Sequence, residues 1–144
     1  MKIYTKEWLE KEDKTTEELI EKSEQYRQLS QQTGVSEEIR RKIHLHDSVV
    51  EGLVLNGDTL IISFYENESV SCVTRIRFTK VQLQAADSIR NGDWWLYEEV
   101  YASADTYEIH ILFCDVEGHS KELVFSFDEA FLQSTQTQGD VLLR

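Results

Sequence analysis

The chain has 144 residues, with 15 Lys+Arg against 27 Asp+Glu, for a formal net charge of −12. Its length suits one domain with a sizeable core, and a hydrophobic content of 40% excludes a disordered chain. The charge is uneven: residues 1–44 hold 9 basic and 10 acidic side chains, whereas residues 45–144 hold 6 and 17, a net of −11. Such a field argues against nucleic acid or an anionic membrane as a partner and favours a basic protein. The start is charged, unlike a signal peptide, and no stretch approaches the roughly 20 apolar residues of a spanning helix. A cytoplasmic protein is expected.

The first third predicts helices. Thr5 can cap a short helix carrying Trp8 and Leu9, and Thr15 and Glu18 have capping-box spacing for a longer one. Gly34 fits its stop. Ser36 then caps a third helix with Glu37 and Glu38 in its first turn and Arg40, Arg41 and Lys42 in its last, as the helix dipole favours. Ile39 and Ile43, four apart, form its buried edge.

The period changes after His44. A strand over 48–55 meets Asn56-Gly57, a signal for a type I′ hairpin, and returns through Leu60, Ile62 and Phe64. Glu66-Asn67-Glu68-Ser69 makes the next turn. Cys72, Thr74, Ile76 and Phe78 alternate along a third strand, and residues 85–93 form an irregular connection. Strands through 94–101, 107–113 and 123–127 follow. Short turns imply antiparallel pairing, and helices followed by strands imply the α+β class. The prediction is a single domain over 1–144, with a helical part (1–44), an antiparallel β part (45–132) and a loose tail (133–144). About six strands in meander order form a curved sheet closed by the helices. Cys72 and Cys114 read as buried thiols rather than a disulfide.

No strong catalytic motif is present. His44, His46 and Asp47 at the helix-to-strand junction are the candidate metal ligands, the basis of a small metal-dependent hydrolase. The plainer reading has His44 on the last carbonyls of the third helix and Asp47 in a turn, with no metal or other cofactor. Glu98 and Glu99 point to opposite faces of their strand. One of them can face the concave side with a raised pKa; an inward charge guarding an edge strand is the plainer reading. Arg75 and Arg77 share a face, where Glu108 and Glu122 on other strands offer ion pairs. Trp95, Tyr97 and Tyr101 fall on one face with Glu99. With Asp93 at the rim, they make the candidate binding surface.

The opening Met1-Lys2-Ile3-Tyr4-Thr5-Lys6-Glu7-Trp8 resembles the start of an uncharacterised family from Gram-positive bacteria, the domain of unknown function numbered 4085. Leu45-His46-Asp47-Ser48, leading into an Asn-Gly hairpin, is similar to that family and to small immunity-type proteins of bacterial toxin systems. The resemblance implies a bacterial cytoplasmic protein and a binder rather than an enzyme. Its most concrete form is an acidic immunity-type protein that neutralises a basic partner; a homo-oligomer joined through the aromatic strand is a further reading.

Overall fold

The structure, a computed structural model, describes residues 1–65, 73–134 and 140–144. Among the described residues three helices, α1 (Lys6–Leu9), α2 (Thr16–Thr33) and α3 (Glu37–Lys42), precede the strands. Their caps follow the sequence signals: the side chains of Thr5, Thr15 and Ser36 accept from the backbone N–H groups of Trp8, Glu18 and Ile39. Gly34 ends α2 in the left-handed conformation with φ +109°.

The fold is α+β, but among the described residues the sheet has nine strands rather than about six. They are β1 (Ser48–Asn56), β2 (Thr59–Tyr65), β3 (Val73–Phe78), β4 (Gln82–Ala86), β5 (Trp94–Ser103), β6 (Thr106–Cys114), β7 (Ser120–Phe127), β8 (Ala130–Ser134) and β9 (Val141–Leu142). The order β4-β7-β6-β5-β1-β2-β3-β8-β9 is antiparallel throughout but is not one meander. The three added strands carry weak apolar signals. β4 is exposed at every residue, while β8 and β9 are only five and two residues long. The tail is therefore anchored at its end: β9 pairs with β8, and Leu143 is buried in the core.

Two groups of strands, β4-β7-β6-β5 and β1-β2-β3-β8-β9, meet at a short seam where Ser48 faces Trp95 and Val49 faces Trp94. The sheet curls strongly about this seam. Phe78 of β3 touches Phe125 of β7 at a ring separation of 4.9 Å, although four strands lie between them in the sheet order. At about 4.8 Å per strand a flat sheet would hold these rings more than 20 Å apart. The space enclosed is the core, filled by Phe64, Phe78, Trp95, Phe113, Phe125 and Phe127 with aliphatic side chains. Val35, Ile39 and Ile43 around α3 plug it from the helical side.

Other local expectations change. Asn56 pairs with Thr59, so the β1–β2 loop is Gly57-Asp58. Only Gly57 has positive φ there, the pattern of a type II′ turn rather than type I′. β3 neighbours β2 and β8, which removes Arg75 and Arg77 from Glu108 and Glu122. Arg77 instead pairs with Asp140 at 2.7 Å and lies over the Phe131 ring. Cys114 is a half-buried free thiol. Cys72 and the turn at Glu66–Ser69 lie outside the described residues.

Candidate functional site

The site is built on the free edge of β5. β1 begins at the seam, opposite Trp95, and β5 continues beyond it to Ser103. Alternate residues of an antiparallel strand direct their N–H and C=O away from the paired neighbour. At Val100 that edge is capped by α2: the Val100 N–H donates to the Tyr26 hydroxyl at 3.1 Å, and its C=O accepts from Ser30 Oγ at 2.6 Å. The Ala102 N–H donates to Thr33 Oγ1 at 3.0 Å. At the other end, His46 Nδ1–H donates to the Leu96 carbonyl. Glu98 lies between these two brackets, and the same alternation turns its backbone outward. A cavity of about 460 Å³ occupies the gap, lined by residues that include Tyr4, Tyr26, Tyr97, His44, His46 and Glu98.

A register shift between Trp95 and Tyr97 decides which side chains point where. The extra residue of this bulge reverses the alternation, so Trp95, Glu98 and Val100 share the core face. Trp95 is thereby removed from the face of Tyr97 and Tyr101 and is fully buried against Phe64 and Phe113. It is a core residue, not an exposed anchor. The other face of β5 is covered by the chain's own first residues. Glu99 is inaccessible and accepts the backbone N–H groups of Lys2, Ile3 and Tyr4 at 3.1, 3.1 and 2.8 Å, as well as the Tyr101 hydroxyl. Tyr101 is buried beneath this segment, and the Tyr4 ring stacks on Tyr97 at 4.4 Å. Asp93 is buried too, accepting from the Arg90 N–H and from Lys121 Nζ, both at 2.8 Å. Of the five residues expected to form an open acidic and aromatic surface, only Tyr97 lines the cavity. A self-interface on that face would have to displace residues 2–4.

At the base of the cavity Glu98 is almost entirely buried, and its carboxyl is held between two donors. Oε1 lies 3.0 Å from His44 Nδ1, and Oε2 accepts from Trp95 Nε1 at 3.1 Å. Burial pushes the Glu98 carboxyl above the usual carboxylate range, against the opposing pull of these two contacts. The hydrogen bond to Glu98 raises His44 in turn. Engaging Nδ1 leaves Nε2, across the ring, as the nitrogen able to exchange a proton with a ligand. Burial also moves the wall: Tyr4 is pushed up to about 12, and Tyr26 and Tyr97 are raised. All three present neutral phenols at neutral pH.

His44 and His46 both line this cavity, their rings near-parallel at 6.3 Å, but they do not assemble with Asp47 as a metal centre. His44 is turned to Glu98 rather than to the end of α3, and Asp47 reaches only His46 Nε2, at 3.5 Å. Among the described residues no group of three or more His, Cys, Asp or Glu is placed to hold a metal ion.

A family model described as a protein of unknown function, DUF4085, matches residues 1–120. The chain belongs to this family. The matched span contains every residue lining the DUF4085 cavity, from Tyr4 to Glu98, and stops before β8 and β9. No curated protein matches the chain, and no solved structure does. Among the described residues no helix is long and apolar enough to cross a membrane.

The sequence pattern alone did not bring Tyr4, Tyr26, Arg40 and Arg41 to the site. Tyr26 reads as part of a helical stripe, and the arginines read as partners of the α3 dipole. The signal that links them is Glu98, a carboxylate on the core side of a strand that needs a cation or donor from another element.

Proposed function

We propose that this DUF4085 protein is a non-enzymatic binding protein whose ligand, a small molecule, occupies the cavity at the free edge of β5. The observation that carries this reading is a nearly buried carboxyl, Glu98, at the base of an opening walled by three tyrosines. A volume of about 460 Å³ falls within the range of small-molecule sites. Apolar ring faces supply area, and a few polar atoms (the Glu98–His44 pair and the tyrosine hydroxyls) supply orientation. Amide and aromatic NMR shifts recorded against a library of small soluble fragments test it. Binders should perturb Tyr26, His44, Tyr97 and Glu98 together. A library that yields no binder, or binders that perturb only other surfaces, rejects the reading.

A second reading, an acidic protein that covers a basic protein partner in the manner of an immunity protein, is supported by the net charge of −11 over residues 45–144. Exposed carboxylates at Asp58, Asp105, Glu117 and Glu129 lie on the turns of the sheet rather than around Trp95. The expected complex weakens steeply with added salt; a salt-insensitive one counts against it. A bacterial cytoplasmic setting goes with either reading, and its support is the free thiol of Cys114.

A further inference from the structure

The cavity lies in a strongly acidic protein, yet its mouth is basic. Arg27 from α2 and Arg40 and Arg41 from α3 line it, against Glu37. Glu98 is not turned to them: its two carboxyl oxygens face His44 Nδ1 and Trp95 Nε1 at the base of the cavity. The arginines differ in how far they are committed. Arg27 Nε binds Glu24 at 3.0 Å, and Arg40 Nη1 donates to the Val35 carbonyl at 2.6 Å, leaving its other N–H groups for further contacts. Arg41 is exposed and makes no ion pair among the described residues. Behind this cationic rim the walls are aromatic: Tyr4 stacked on Tyr97, Tyr26 edge-on to Tyr4 at 6.3 Å, and the His46 ring 5.0 Å from Tyr97.

We propose that the cavity binds an organic oxyanion, a carboxylate or phosphate monoester joined to a planar apolar body, with Arg40 and Arg41 taking the head and the tyrosines the body. The proposal rests on the reading that this cavity is the ligand site. Guanidinium forks match the paired oxygens of either head group, and a flat apolar body packs against aromatic rings over more area than a branched chain does. The overall charge does not forbid an anion here. The helical part that carries the rim is nearly neutral, and solvent-exposed carboxylates farther away than the Debye length of about 8 Å are largely screened at physiological salt. The tyrosine hydroxyls offer further donors toward the head group.

Isothermal titration of the full chain with 2-naphthoate, 2-naphthyl phosphate and the neutral 2-naphthalenemethanol tests this, with NMR shifts locating each probe. The expected result is that at least one anion binds in the cavity about tenfold or more tighter than the alcohol, the scale of one charge-assisted hydrogen bond. The tighter of the two anions identifies the head group. Arg41→Glu should abolish that preference, and Arg41 is exposed enough for the variant to fold. Equal binding of all three probes, or a preference that survives Arg41→Glu, overturns the oxyanion assignment but leaves the cavity as a ligand site. Failure of every probe to perturb the cavity overturns both.

Discussion

His44 Nδ1 stands 3.0 Å from Glu98 Oε1, joining the residue just beyond α3 to the core face of β5 across 54 positions of sequence. The two partners differ sharply in exposure: the Glu98 side chain is 2% accessible and that of His44 is 62%. A buried acid thus meets solvent through one imidazole.

Both partners have raised pKa values, Glu98 through burial and His44 through the hydrogen bond to Glu98, and this fixes the sign of their pH dependence. A group whose pKa is higher in the folded state favours folding below its unfolded value, and that contribution disappears as pH rises through the folded value. The loss therefore begins above about pH 4.3 for Glu98 and above about pH 6.5 for His44, the reference values of the two side chains. Thermal midpoints measured from pH 5 to pH 9 should show a fall that Glu98→Gln flattens, because the amide keeps a partner for Trp95 Nε1 without titrating. A Glu98→Gln variant with the same pH profile as the parent would refute this assignment.

Glu99 predicts a larger effect. Its carboxylate is the shared acceptor for the N–H groups of Lys2, Ile3 and Tyr4 and for the Tyr101 hydroxyl. Glu99→Ala strands several buried donors at about 1–3 kcal/mol each, so a total loss of about 3 kcal/mol or more is expected in urea unfolding. Release of the segment also uncouples Tyr4 from Tyr97. Limited proteolysis should then cleave before α2 in the variant and not in the parent. Equal protection of the two would contradict the clamp.

The helices were legible in the sequence because capping is local: Thr5, Thr15, Gly34 and Ser36 each act within four residues. The alternating strands were legible for a similar reason, since β6 and β7 bury every second residue against one core. What escaped is non-local. A one-residue bulge near Leu96 reverses the alternation after Trp95 and brings Trp95 and Glu98 onto the same face, and no residue type announces it. The exposed strand β4 and the short β8 and β9 exist through pairing rather than apolar pattern. The cavity needs α2, α3 and β5 at once, so sequence could single out His44, and Glu98 as one of two adjacent carboxylates able to face inward with a raised pKa, but could not join the two.

Ser30 is the only buried residue of α2, and it is polar. Its hydroxyl caps the Val100 carbonyl on the free edge of β5, so α2 is held by hydrogen bonds more than by an apolar stripe. Ser30→Ala should cost about 1–3 kcal/mol by leaving that carbonyl without its donor. Hydrogen exchange at Val100 and Ala102 should speed up with it, since Tyr26 and Thr33 approach from the same helix. Unchanged exchange at both amides would mean that α2 is held independently of Ser30.

Gly34 separates backbone strain from crowding. At φ +109° it lies in the region that L side chains rarely adopt, yet an added Cβ would meet only Ala102 Cβ, at an ordinary 3.9 Å. Gly34→Ala should therefore destabilise the protein through conformation alone, by about 1–2 kcal/mol. The turn it forms aims Val35 and α3 at the core and places Arg40 and Arg41 at the cavity mouth. Urea unfolding measures the loss. The companion variant Ala102→Gly, which removes the one nearby side chain, should not rescue it. A rescue would show that contact rather than φ sets the cost.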